Sequence, residues 1–286
     1  MQPKDALGRR LMASAFGIPL LLVSAWAGGW LWTLLIGAVA ALGAMEMAGL
    51  FESKGAALGS QRTISAVAAF ALVASVRLTG VPVRDPVWTG LAGLGAAAAG
   101  SGLAALVAAI FVPDQHRLSG ASAAVFGSVY TGGLLSFLVL LREVPLGGFG
   151  IVALVLAATW ATDSAAFFVG RGLGRHKLVP RLSPAKTIEG ALGGLAAGTL
   201  AGSAGGWFLS GTAGMGLWQG AFLGILVAVA AQVGDLVESA LKRSAGVKDS
   251  GRLIPGHGGI LDRFDSLMFV APAAFLFLMF LRGGGP

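Results

Sequence analysis

Between Asp235 and Asp265 the chain concentrates hard oxygen donors and cations: Asp235, Glu238, Ser239, Lys242, Arg243, Lys248, Asp249, Arg252, His257, Asp262, Arg263 and Asp265. Carboxylates suit a hard cation such as Mg²⁺, which typically takes one or two of them and completes its shell with water and substrate phosphates. Lys and Arg hold phosphate oxygens in charge-assisted hydrogen bonds. Together these are the parts of a phosphoryl-type transfer, in which charge is offset and a nucleophile is aligned with its leaving group. Asp249, Asp262 and Asp265 are candidates for metal or phosphate chemistry; salt bridges to Lys248, Arg252 and Arg263 are the plainer reading. Asp235 and Glu238 are candidates too, with helix-surface pairing to Lys242 as the alternative.

These residues need a frame. If the helix ahead of them continues inward, Asp235, Glu238 and Lys242 fall at i, i+3 and i+7 and make one polar stripe. Gly251, Pro255, Gly256, Gly258 and Gly259 then interrupt the helix, and such a loop can bring backbone N–H groups close to phosphate oxygens. Asp262 and Asp265, three residues apart at the start of the last helix, can point the same way. A second polar segment, 171–187, carries Arg171, Arg175, Lys177, Arg181 and Lys186, with Asp163 ahead of it and Glu189 behind.

The surrounding chain reads as membrane. Hydrophobic residues make up 56% and charged ones only 12%, and mean hydropathy is +0.82; about 25% charge is usual for a soluble domain. The 46 Gly read as close helix packing, since small residues let transmembrane backbones approach. With no Cys, disulfides, thiolate metal sites and a cysteine nucleophile are excluded. The net charge of +7 fits basic cytoplasmic loops facing anionic lipid, and nucleic acid is not an expected partner.

Runs of about 20 apolar residues each cross a bilayer. About nine such helices are expected, at 11–27, 30–51, 63–79, 87–112, 121–141, 148–170, 188–210, 215–234 and 266–281, giving an all-α polytopic membrane protein. The first run resembles a signal peptide but lacks a convincing cleavage site and reads as the first helix. With the N-terminus cytoplasmic and the C-terminus outside, only Arg77, Arg84, Arg142 and Arg282 of the 20 Lys and Arg fall away from the cytoplasmic side, as the positive-inside rule requires. The expected organisation is one domain over 1–286, with N-terminal helices over 1–147 and catalytic helices and loops over 148–286. Asp163 and Asp235 lie near inner helix ends. An acid inside hydrocarbon costs about 2.5–3.5 kcal/mol, so such residues are functional candidates by default; for Asp163 the alternative is an ion pair locking two helices.

Ser239, Lys242-Arg243, Lys248-Asp249, Gly251, Pro255, His257-Gly258-Gly259, Asp262-Arg263 and Asp265 resemble the signature of the phosphatidate cytidylyltransferase (CDP-diacylglycerol synthase) family along its whole length. Asp163 through Gly170-Arg171, Lys177, and Ser183-Pro184-Ala185-Lys186-Thr187-Ile188-Glu189-Gly190 also resemble it, so the likeness runs over 162–266. Glu46 resembles a membrane-embedded acidic position of the family. Ala185 departs from it, because the family usually has a second basic residue there. The resemblance implies that the phosphate of phosphatidate attacks the α-phosphorus of CTP, giving CDP-diacylglycerol and pyrophosphate. It also implies a divalent metal, Mg²⁺ with K⁺ as a second cation, a homodimer, and a multi-pass protein of the cytoplasmic membrane with its site facing the cytoplasm.

On that reading Asp262 and Asp265 hold the metal, Asp235 and Asp249 are further ligands or lie just behind them, and Lys242 completes the catalytic set. Ser183, Lys186, Thr187, Glu189, Ser239, Arg243, Lys248, His257, Gly258, Gly259, Arg263, Asp163 and Arg171 are the expected substrate contacts. Thr187 and Ser183 also read as helix N-caps, and His257 as a phosphate contact or loop-fixing group; a phosphate oxyanion needs no general base. A transporter and a CTP-dependent lipid or polyprenol kinase are the competing functions. CDP-alcohol phosphotransferases carry a different Asp-rich motif, absent here.

Overall fold

The computed structural model describes residues 3–52, 59–79, 86–110, 117–145, 147–251 and 258–281. Its helices are α1 (Pro3–Ala27), α2 (Gly29–Glu52), α3 (Ser60–Thr79), α4 (Pro86–Ala109), α5 (Arg117–Ser128), α6 (Leu134–Glu143), α7 (Gly148–Leu173), α8 (Ile188–Phe208), α9 (Ser210–Ala213), α10 (Leu217–Ala245) and α11 (Leu261–Leu281). Among the described residues the architecture is all-α apart from one ribbon. Strands β1 (Lys177–Val179) and β2 (Ser183–Thr187) pair antiparallel, with Lys177 opposite Thr187 and Val179 opposite Ser183.

Among the described residues seven helical stretches are long and apolar enough to cross a membrane: Gly29–Glu52, Ser60–Leu78, Leu91–Ala108, Ser119–Glu143, Gly148–Leu173, Leu217–Ala245 and Leu261–Leu281. Helices suit that solvent because they satisfy every backbone N–H and C=O within the segment. Each of the nine expected segments is helical, but α8 is not among the seven, and the apolar described part of α1 is the shorter Ala15–Ala27. The helix of the eighth span continues inward past 234 to Ala245, carrying the polar stripe, and the last helix begins at Leu261, ahead of its span at 266, with Asp262 in its first turn.

The chain divides into two compact units. The first comprises Met1–Leu140 and Leu241–Phe264. Here α3 packs against α2, α4 and α5 around buried Trp32, Ile36, Met47, Leu72, Leu135 and Leu138. Polar side chains stitch the helices: the Trp32 indole N–H donates to the Leu138 carbonyl (3.1 Å), Gln61 to that of Ala105 (3.2 Å) and Ser65 to that of Ala124 (3.1 Å). Between α5 and α6 a π-helical turn, Val129–Gly133, presents Gly132 to the backbone of Ala69, too close for any Cβ.

The second unit comprises Leu141–Ala240 and Asp265–Pro286. Its frame is α7 packed on α8. Gly190, Gly194, Gly198, Gly202 and Gly206 recur every four residues on α8 and are all buried. One such row faces one side of a helix. Gly202 and Gly206 both meet the backbone of Gly220 on α10, and Gly206 also that of Gly216 just before it, while Gly194 meets the Thr162 carbonyl on α7. Lipid supplies no hydrophobic drive for helix pairing, so close van der Waals contact of this kind holds the layers.

The segment from Leu241 to Phe264 belongs to the first unit, and its own polar contacts hold it there.

Candidate active site

In the first unit the loop between α10 and α11 is organised by two carboxylates. Asp262, in the first turn of α11, is only 8% exposed and pairs with the Lys242 ammonium on α10 at 2.5 Å. Its other oxygen accepts the Ser250 N–H (3.0 Å), the Ser250 hydroxyl (3.1 Å) and the Gly259 N–H (2.8 Å). Glu46, on α2, accepts the Ser250 hydroxyl (2.8 Å) and the N–H groups of Ile260 (2.9 Å) and Leu261 (3.0 Å).

The loop's glycines follow from these carboxylates. Gly258 has φ +79°, the left-handed region that favours glycine, and a Cβ there would meet Asp262 Oδ2 at 2.6 Å. A Cβ on Gly251 would meet Glu46 Oε1 at 2.5 Å, and one on Gly259 would overlap Glu46 and Ser250. The sequence reading sends the Gly259 N–H to a phosphate; in this structure it is bound to Asp262. Asp262 was likewise expected on a metal, and its carboxylate is already occupied by an ammonium and three further donors. Arg243, Lys248, Asp249 and Arg263 are exposed around this loop. His257 lies outside the described residues, as do Arg252, Pro255 and Gly256.

In the second unit Lys186, on β2, pairs with Asp235 on α10 at 2.7 Å. Ser239, one helical turn on, donates to the other Asp235 oxygen at 3.3 Å. Asp163 on α7 lies within electrostatic reach of Asp265, Asp235 and Lys186. Gly234 lets this happen: its α-carbon faces the Asp265 carbonyl, which a Cβ would meet at 2.6 Å, so the α10 and α11 backbones approach closely there. Asp265 also accepts the N–H of Ser266 (2.6 Å). Lys186 is thus in direct contact with Asp235, and Asp163 feels the charges of both and of Asp265.

The ribbon before α8 is pinned at both ends. The Thr187 hydroxyl caps α8 by accepting the Gly190 N–H at 3.1 Å, the helix-cap role its position suggests. It also sits against Gly170, Gly174 and Gly190, where no larger residue fits without displacement. Glu189, expected to touch substrate, folds back onto the preceding turn: it accepts the N–H groups of Arg175 (3.0 Å) and His176 (3.2 Å) and pairs with the His176 ring at 2.6 Å. The His176 hydrogen bond, followed by the backbone ones, holds Glu189 far below the usual carboxylate range, at about 2. His176 is therefore a turn-fixing residue. Ser183 opens β2 half-buried, and Arg171 is exposed at the end of α7.

Among the described residues no three His, Asp or Glu side chains converge closely enough to enclose a metal ion. The group in the second unit still fits a hard cation. Its donors are carboxylate oxygens, its charge is net negative, and Mg²⁺ uses one or two carboxylates and leaves the rest of its shell to water and phosphate.

The fold defines a polytopic membrane protein, with acids and cations paired in two polar segments. The chain belongs to the Cytidylyltransferase family, which it matches over residues 8–281. It is 34% identical over 303 residues to a phosphatidate cytidylyltransferase of Synechocystis sp., covering 96% of this chain and 97% of that one. It is 47% identical over 171 residues to the phosphatidate cytidylyltransferase of Brucella suis biovar 1, covering 59% of this chain and 61% of that one. Against the Staphylococcus haemolyticus phosphatidate cytidylyltransferase it is 44% identical over 132 residues, covering 46% and 50%.

Proposed function

We propose that this chain is a nucleotidyltransferase that joins phosphatidate to the cytidylyl group of CTP, giving CDP-diacylglycerol and pyrophosphate for phospholipid synthesis. The observation that carries the reading is the end-to-end likeness to the Synechocystis phosphatidate cytidylyltransferase, 97% of whose length is covered. In the reaction a phosphatidate oxygen forms a bond to the α-phosphorus of CTP as the bond from that phosphorus to the bridging oxygen breaks. Pyrophosphate leaves with the electron pair. The lipid phosphate is already anionic, so no protein base is required.

The chain's own groups answer the remaining needs. Lys186 places an ammonium beside Asp235, where it can turn to a phosphate oxygen. Ser239 holds Asp235 in position, and Thr187 orients the start of α8. Asp235 and Asp265, with Asp163 beside them, are the residues that would hold a divalent cation, Mg²⁺ on this reading with K⁺ as a second cation. When bound, such a cation offsets triphosphate charge and aligns the displacement. In the other unit Asp262 holds Lys242, and Arg243, Lys248 and Arg263, exposed around the loop, are candidate phosphate contacts. Asp249 stays a candidate oxygen donor, and Arg171 a candidate phosphate contact. A homodimer in the cytoplasmic membrane, with the site facing the cytoplasm, completes the proposal.

The test uses purified protein in detergent with phosphatidate, Mg²⁺ and CTP labelled in turn on cytosine and on the γ-phosphate. Cytosine label entering lipid with release of pyrophosphate is the expected result. Label from the γ-phosphate in lipid would instead mark a lipid kinase, and no transfer of either label would leave a transporter as the better reading.

A further inference from the structure

We infer that Glu46, a carboxylate on the second helix and far from the signature segments in sequence, is a positioning residue that clamps the start of α11 and Ser250 in the preceding loop, beside the Asp262–Lys242 pair. This rests on the functional reading above, in which that pair serves the reaction.

The argument starts from the N-terminus of α11. Phe264 donates its N–H to the Ile260 carbonyl, so Ile260 occupies the cap position. Capping residues normally supply a side-chain oxygen to the free N–H groups of the first turn, and isoleucine has none. Glu46 supplies it from another helix, taking the N–H of Ile260 on one oxygen and that of Leu261 on the other. A carboxylate there is also favoured by the positive end of the helix dipole. The same side chain takes the Ser250 hydroxyl, which lies within 3.1 Å of Asp262 as well. One hydroxyl therefore links the clamp to the carboxylate that holds Lys242. Gly251 and Gly259 are small enough to let Glu46 enter. Glu46 makes every one of these contacts with the loop and helix start, not with α2, so its placement in an apolar helix is explained by what it holds.

The experiment compares wild type, Glu46→Gln, Ser250→Ala and, as a control, Glu52→Gln, whose carboxylate on the same helix faces Arg62 at 3.5 Å. Two readouts are taken on folded protein in detergent: kcat and KM for CTP, and hydrogen–deuterium exchange of peptides covering 258–264. Glu46→Gln is expected to lower kcat by on the order of tenfold to a hundredfold, the scale of a small misplacement of reacting groups, with KM little changed and faster exchange confined to that segment. Glu52→Gln is expected to match wild type in both. Unchanged kcat in Glu46→Gln would overturn the inference, as would a fall in kcat without faster exchange, or a fall shared by Glu52→Gln. If Glu46→Gln does not fold, Ser250→Ala decides: lower kcat with faster exchange supports the clamp, and wild-type behaviour sinks it. A wild-type protein that transfers no cytidylyl group would refute the functional reading instead, while the exchange arm would still test the clamp itself.

Discussion

Asp262 accepts more donors than an ion pair needs, and that sets what its loss would do. With 8% of its side chain exposed and Lys242 at 15%, the pair is largely out of water, where removing one partner leaves an uncompensated charge worth roughly 3–5 kcal/mol. Asp262→Asn keeps the shape but turns an NH₂ group toward donors that need an acceptor. Turnover of labelled CTP should fall at least about a hundredfold while the protein still unfolds cooperatively in a thermal melt. Near-normal turnover would remove Asp262 from the machinery. The residue types and spacing made Asp262 and Lys242 legible, because charged side chains in an apolar chain announce themselves. Glu46 was legible as an acid resembling a family position but not by its contacts, since its partners include the backbone N–H groups of Ile260 and Leu261, and a backbone donor leaves no trace in residue type.

At the scale of elements, α8 shows how glycine does structural work in lipid. A Cβ on Gly202 would collide with the Gly220 carbonyl and lie 2.6 Å from the Gly224 α-carbon, so even alanine forces the two helices apart. Overpacking of this sort costs about 1–3 kcal/mol. Gly202→Ala should lower the melting temperature in detergent, whereas Gly211→Ala, at a position with nothing within 4 Å of an added Cβ, should not; equal melting temperatures would mean the contact carries no load. The four-residue glycine period from Gly190 to Gly206 stands in the sequence and could have identified the packed face directly. The ribbon of β1 and β2 could not be found that way. Its strands are short, it is held by Glu189 and Thr187 through backbone groups, and no alternation of apolar residues marks it.

For the whole molecule, orientation in the membrane follows from charge asymmetry and can be read by labelling. The chain has no Cys, so each introduced thiol is unique. Arg181→Cys, in the exposed turn between β1 and β2, should react with an impermeant maleimide only from the cytoplasmic side, and Thr212→Cys only from the opposite side. The reverse pattern would invert the topology, and reaction of both from one side would change the number of crossings between them.

Composition and periodic apolar runs determined by themselves that the chain is an all-α membrane protein, because a bilayer dictates length and apolarity residue by residue. Charged residues crowded into two segments likewise marked where the candidate site residues lie. Only the tertiary structure decided how those charges are shared out: Lys186 with Asp235, and Lys242 with Asp262. It also assigned the 241–264 segment to the unit of the N-terminal helices, through the Glu46 contacts to the loop and the start of α11. Pairing between groups distant in the chain depends on which backbones approach, and that is set by packing at positions such as Gly234 and Gly259, where the deciding feature is an absent side chain.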